Sequence, residues 1–216
     1  MFNFSMLMIT KQISRLSLVF GVLIVVSLSG CASLLAPKVE SEIISLKAGQ
    51  YTLDKSHTTV LFKIKHMCLS TYVGRFNKFD ASLNFDPLKI TNTELNATID
   101  LGSLDINNED LKEDLMGRRW FQQRKYPQAI FSTTSIKTIS ETELGFVGNL
   151  DWRGVVKPIS LTVIFHGGAN NILTGKYTIG FSAKGSFLRS DFGMDSFIPV
   201  VADKVELEIY AEFQRN

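Results

Sequence analysis

The 216-residue chain carries 23 Lys and Arg against 21 Asp and Glu, and 45% of it is hydrophobic. Lys11 and Arg15 are the only charges in the first 30 residues, so the 186 that follow hold 21 of each sign and are neutral overall. A neutral body offers no electrostatic footprint for nucleic acid or for an acidic lipid surface, and 186 residues are enough to bury one substantial core.

The elements begin with a targeting pattern. Lys11 and Arg15 precede the 13-residue apolar run Leu16–Leu28, and small residues follow at Ser29 and Gly30. A basic start, short apolar centre and small-residue exit form a secretory signal, and the run is shorter than the roughly 20 residues a membrane-spanning helix needs. Leu28-Ser29-Gly30-Cys31 reads as a bacterial lipobox, which predicts loss of residues 1–30 and a lipid on Cys31. Ala32 in place of Asp favours the periplasmic side of the outer membrane. With Cys31 as anchor, Cys68 is left alone and no disulfide scaffold is available. Residues 31–47 show no period and read as a lipidated tether, and 48–216 as the folded domain.

From Gln50 onward a period of two dominates. Val60, Phe62 and Ile64 share one face; so do Phe79, Ala81, Leu83 and Phe85; then Leu95, Ala97, Ile99 and Leu101; and finally Val205, Leu207, Ile209, Ala211 and Phe213. Each set alternates with polar residues, as half-buried antiparallel strands do. Further strands are predicted near 128–139, 143–152, 156–166 and 176–187, with Asp86-Pro87, Lys157-Pro158 and Gly167–Asn171 as punctuation. One helix is predicted, capped by Asn107 or Asn108, opened by Glu109 and Asp110 and ended by Gly117. A helical turn around Trp120 and Phe121 follows it. About eight strands and a short helical insertion predict an all-β fold. An antiparallel eight-stranded barrel accounts for the long strands better than a sandwich, and such a barrel can hold one small ligand.

Several segments, in order, resemble the YceI-like domain. They are Gly49–His66, Val73-Gly74-Arg75-Phe76, Phe85-Asp86-Pro87, Trp120-Phe121 with Tyr126–Phe131, Gly148–Pro158, Arg189–Met194 and Val201–Val205. The resemblance spans roughly 49–214 and implies a lipocalin-like barrel whose elongated apolar cavity holds a polyisoprenoid or other long-chain lipid, such as a quinone tail. It departs from the pattern in its lipobox, in Asp114-Leu115 where the family often has His-Leu, and in Asp151 where a Thr is usual before Trp152.

A lipid carrier needs apolar volume rather than catalytic groups, and the chain's 16 Phe, only three of them in the signal segment, supply it. The candidate ligand contacts are Phe62, Phe79, Trp120, Phe121, Phe131, Trp152 and Phe192, with His57, His66, Arg189 and Asp191 as polar partners for a headgroup. Arg189 and Asp191 could equally form an ion pair closing a turn. His166 lies on the outward parity. His66-x-Cys68 places two side chains on one face, but two ligands fall short of a zinc site, so neither a metal nor a required cofactor is expected. No G-x-S-x-G, H-E-x-x-H or P-loop is present, which argues against an enzyme. The competing readings are a structural or stress-protective envelope lipoprotein with a filled barrel and, behind it, a Cys-His hydrolase. Oligomeric state is not specified by any of these residues, and a homodimer stays open.

Overall fold

The computed structural model describes residues 37–216, so the signal segment 1–30, Cys31 and the first part of the expected tether lie outside the described residues. Among the described residues, every strand and every buried core residue lies within the unit Val39–Asn216.

Ten antiparallel strands follow the predicted alternation: β1 Gly49–His66, β2 Ser70–Phe76, β3 Phe79–Phe85, β4 Glu94–Asp100, β5 Leu104–Asp105, β6 Gln128–Thr138, β7 Glu143–Trp152, β8 Val155–Asn170, β9 Tyr177–Leu188 and β10 Val201–Arg215. They lie in the order β10-β9-β8-β7-β6-β4-β3-β1-β2-β5, and β10 pairs back onto β1 to close the sheet. β2 pairs with Val60–His66 of β1 and β3 with Gly49–Thr52, so the two act as successive halves of one stave. Counted that way the barrel has eight staves, with β5 a short addition on β2. Closure leaves few free strand edges, which stabilises a sheet against pairing with other chains.

β1 carries the main irregularity. Its register against β10 slips between Asp54 and Thr59, so four residues bulge from the wall. The bulge reverses parity: Tyr51 and Leu53 face the interior before it, Val60 and Phe62 after it. A one-residue change of phase moves every later side chain to the other face.

The helix α1, Glu109–Met116, forms where predicted, with the Asn108 side chain accepting the Leu111 N–H at 2.9 Å. Two departures concern the chain ends of strands. Leu101 leaves β4 for a short 3-10 turn, because the Asp100 carboxylate accepts the Gly102 N–H at 2.9 Å and tightens the chain there. The Gly167-Gly168 pair, read from sequence as punctuation, continues β8 instead. At Gly168 a Cβ would stand 2.5 Å from the Tyr177 hydroxyl and 2.7 Å from Leu46, so only glycine admits both.

That contact is part of the barrel's closed end. Glu40 bridges to Gly168, and Ile43 and Leu46 are buried beside the end of β8 and the start of β9. The later part of the expected tether is therefore packed against the barrel, held by its apolar side chains. Tyr51 donates to the Lys47 carbonyl at 2.5 Å, and burial pushes its phenol up to about 12. The Tyr177 hydroxyl donates to the Glu40 carboxylate nearby. No helix among the described residues is long and apolar enough to cross a membrane.

Candidate functional site

The inward residues do not fill the barrel. A cavity of about 490 Å³ occupies the end where β1 and β9 finish and β10 begins, and a second of about 140 Å³ lies deeper. Ile99, Ala129, Leu150 and Leu207 are walls of both, so the two spaces meet along one axis. The larger volume is typical of small-molecule sites.

Each element contributes through its parity. β1 and β2 supply Phe62, Ile64, Tyr72 and Phe76; β7 supplies Leu150 and Trp152; β9 and β10 supply Phe187, Val205 and Leu207. Phe62 stands opposite Gly74 in register, and a Cβ there would lie 2.4 Å from the Phe62 ring. Glycine thus lets the ring lie against the wall and leaves the lumen open. On α1, Leu111 and Leu115 are four residues apart and so share the face that covers the opening. The turn after the helix adds Trp120 and Phe121.

A loop over residues 194–201 completes the mouth with Met194, Phe197 and Val201. Phe197 stacks on Trp120 at 6.3 Å, and the Arg119 guanidinium lies 5.4 Å from the Phe197 ring. The Phe197-Ile198-Pro199-Val200 run is exposed, as are Met67 and Leu69 in the β1–β2 turn, so the rim is apolar.

Arg189 organises this loop. It is only 2% exposed, and it donates from Nε to the Ala202 carbonyl at 2.9 Å, from Nη2 to the Val201 carbonyl at 2.8 Å and from Nη1 to the Met194 carbonyl. Its guanidinium sits 5.1 Å from the Trp120 ring. Burial pushes its pKa down, while Asp203 and Asp195 pull it up. Among the described residues it forms no ion pair with Asp191, because all three of its hydrogen bonds go to backbone carbonyls.

Of the residues singled out from sequence, Phe62, His66, Trp120, Phe121, Trp152 and Arg189 line the larger cavity, and Phe79 and Phe131 the smaller. His66 keeps the parity of Phe62 and Ile64 and stands at the exposed end, opposite Val201. Three residues line neither space. Asp191 and Phe192 belong to a 3-10 turn, Arg189–Phe192, which breaks the strand parity. Asp191 is exposed, and Phe192 packs behind Trp152 and Phe187 at 5.9 and 5.5 Å.

His57 is the third. It sits on the outward bulge of β1, where its Nδ1 is 3.0 Å from Asp54 Oδ2. Asp54 also accepts from the Ser56 N–H and hydroxyl and from Gln214 Nε2, and His57, Asp54 and Glu212 place ligand-capable atoms within 4.8 Å of one another. Hydrogen bonds from Ser56 and then His57 hold the Asp54 carboxyl down at about 2. A lowered carboxyl pKa contributes stability that is complete above the unfolded value near 4 and is lost as pH falls toward 2. Asp54 is the main partner that raises His57; that contribution is complete in acid and fades as pH rises through the raised value. We expect Asp54→Asn to lose about 1–2 kcal/mol at pH 7, with the gap to wild type narrowing between pH 4 and 2 in urea unfolding. A gap unchanged over that window would refute the role given to the carboxylate.

The His66-x-Cys68 spacing does not survive folding. β1 ends at His66, and Met67 and Cys68 adopt left-handed φ of 52° and 57° in the turn, so alternation no longer relates the two. His166 is exposed as its parity predicts, and its Nε2 lies 2.8 Å from the Ser182 hydroxyl.

Wall residues absent from the sequence-based set fall into two kinds. Phe76, Leu150 and Phe187 could have been found by parity, and Leu111 with Leu115 by helical spacing. Phe197 carries no such signal, because its loop has no period. Arg153 was also missed: it donates from Nη1 to the Phe192 carbonyl at 2.8 Å and from Nη2 to the Arg118 carbonyl at 3.4 Å, tying two mouth turns together.

Comparison with known proteins gives a consistent picture. The model of the YceI-like domain matches residues 51–213. A UPF0312 protein of Shewanella oneidensis is 31% identical over 187 residues, covering 86% of this chain and 94% of its own. The crystal structure of the Campylobacter jejuni YceI protein aligns with a TM-score of 0.63 at 33% identity, over 77% of this chain and 98% of that one. A polyisoprenoid binding domain from Saccharophagus degradans, implicated in plant cell wall breakdown, has the same fold, with a TM-score of 0.60 at 14% identity over 77% and 98% of the two chains.

Proposed function

The chain belongs to the YceI-like domain family, and on that premise we propose that it holds a polyisoprenoid or other long-chain lipid, such as a quinone tail, inside its barrel. It acts in this reading as a binding protein of the bacterial envelope, not as an enzyme. The observation that carries the proposal is the cavity pair: about 490 Å³ opening at an apolar mouth and continuing toward a further 140 Å³. The walls are aromatic and aliphatic almost throughout, so a chain can lie within them without stranding polar groups. Each buried methylene contributes about 0.8 kcal/mol, so ten carbons give roughly 8 kcal/mol gross, the magnitude of micromolar binding. A polyisoprenoid-binding relative of the fold supports the same ligand class.

A barrel filled by its own side chains, the structural alternative, would leave no space of this size. The hydrolase alternative needs a histidine to activate Cys68, and among the described residues Cys68 is exposed and hydrogen-bonds to none. The test is direct. Protein purified from envelopes and extracted with organic solvent should release a near-stoichiometric isoprenoid or acyl species identifiable by mass spectrometry; an empty extract would sink the proposal.

The lipobox supports a further part of this reading: a lipid on Cys31 keeps the carrier beside its supply, at the periplasmic face of the outer membrane. A Cys31→Ala chain is expected to leave the detergent-extracted membrane fraction while its barrel stays loaded. Loss of load in that variant would show that anchoring is required for filling.

A further inference from the structure

The mouth of the larger cavity is bordered by side chains that water does not favour. Met67 and Leu69 stand in the β1–β2 turn, and Phe197, Ile198 and Val200 in the loop that completes the opening, all of them exposed. Where turns and loops meet solvent they ordinarily carry Gly, Asn, Asp or Ser. The two segments form one surface. The Met67 N–H donates to the Val200 carbonyl at 2.7 Å, the Leu69 N–H to the His66 carbonyl at 3.0 Å and the Val201 N–H to the Phe197 carbonyl at 2.9 Å. Grouped exposed apolar side chains mark a surface that meets a partner or a membrane. This one is continuous with the cavity, because Phe197 is both exposed and part of the cavity wall.

We infer that this rim is a membrane-docking face, which enters the headgroup layer of a bilayer so that a long-chain lipid passes between hydrocarbon and cavity without crossing water. The inference rests on the lipid-holding reading and adds the route by which the cavity fills. Apolar side chains at such a boundary are removed from water while neighbouring charges stay among the headgroups. The Arg119 guanidinium, 5.4 Å from the Phe197 ring, is placed to meet lipid phosphates as the ring enters. The exposed charges of the same region balance, Lys65 and Arg119 against Asp114 and Asp195, so the attraction is apolar rather than electrostatic. The chain joins the barrel from the other end, where Val39 and Glu40 meet Gly167 and Gly168. Residues 32–39 extend to at most about 29 Å, close to the height of about 30 Å for a barrel of 12-residue strands such as β9 at the usual tilt. An anchored chain can therefore tip its mouth onto the membrane that holds it.

The test is flotation with phosphatidylcholine vesicles of the mature chain from Ala32, which carries no acyl anchor, alongside solvent extraction of the same protein. Wild type should rise with the vesicles, at high salt as at low. Leu69→Asp should weaken that binding about tenfold or more, since a charge replaces one leucine's burial. Its thermal midpoint should match wild type, because Leu69 is exposed and lines neither cavity. Leu173→Asp is the control: this leucine is 90% exposed in the β8–β9 turn at the other end, and its loss should change binding less than about twofold. Equal weakening by the two variants would show undirected adhesion and overturn the inference. So would a wild type that stays below the vesicles, or one that is a dimer in buffer which Leu69→Asp splits, because a second copy would then cover the rim. In each of those cases lipid in the extract would leave the lipid-holding reading standing. Flotation with an empty extract would keep the docking face and remove that reading.

Discussion

Arg189→Met should destabilise the barrel by about 3 kcal/mol, because it removes the donor from three backbone carbonyls, one in a buried hydrogen bond and two in partly buried ones. Each of those groups, on Met194, Val201 and Ala202, receives its hydrogen bond from the guanidinium, and a buried acceptor left without a donor costs about 1–3 kcal/mol. Methionine has similar length and keeps the apolar contacts of the stem, so the loss isolates the polar function. For a domain of this size 1 kcal/mol moves the midpoint by about 2–4 °C, which places the expected fall at about 6–12 °C in thermal unfolding followed by circular dichroism. Arg189→Lys should recover less than half of it, since one ammonium cannot reproduce a planar fork reaching three carbonyls. A midpoint within about 2 °C of wild type for the methionine variant would show that the loop is held by other contacts. The loop bears Met194, Phe197 and Val201 of the cavity wall. Bound lipid should therefore also leave the variant faster at temperatures where it is still folded.

Much of this fold is legible in the sequence because one physical signal repeats. Alternation in Phe79–Phe85, Glu94–Asp100 and Val201–Arg215 marks half-buried strands, and Asn108 with Glu109 and Asp110 marks the start of α1. The same parity places Phe62, His66 and Phe131 at the cavities. The failures share a cause: they occur where the period is interrupted. The bulge at 55–58 turns His57 outward, and it is signalled only by the polar run Asp54-Lys55-Ser56-His57. The 3-10 turn at Arg189–Phe192 buries Phe192 behind the wall and exposes Asp191. The tight β1–β2 turn separates Cys68 from His66. Arg189 is legible as a residue of interest from its motif, but its role is not. A buried guanidinium with carbonyl partners 5 to 13 residues away looks the same in sequence as a surface ion pair with Asp191.

The junction of the two cavities offers the sharpest control over what the barrel accepts. Ala129 faces Ile99 across the β4–β6 ladder, and both residues wall the larger and the smaller space. The alanine methyl is the smallest side chain at that constriction, so its size decides whether a chain can continue inward. Ala129→Phe places a ring there, beside existing void, and its effect on stability should stay within about 1 kcal/mol, less than overpacking a filled core would cost. Its effect on binding depends on length. A tail that stops in the larger cavity loses little, whereas one that enters the 140 Å³ space loses the burial of its inner carbons. About five methylenes correspond to roughly 4 kcal/mol, close to a thousandfold in affinity. Titration of a short and a long isoprenoid alcohol should show the variant discriminating strongly where wild type favours the longer, with Ala129→Leu intermediate. If both lengths weaken equally, the deeper space is not part of the ligand's path and the bound chain must turn within the larger cavity alone.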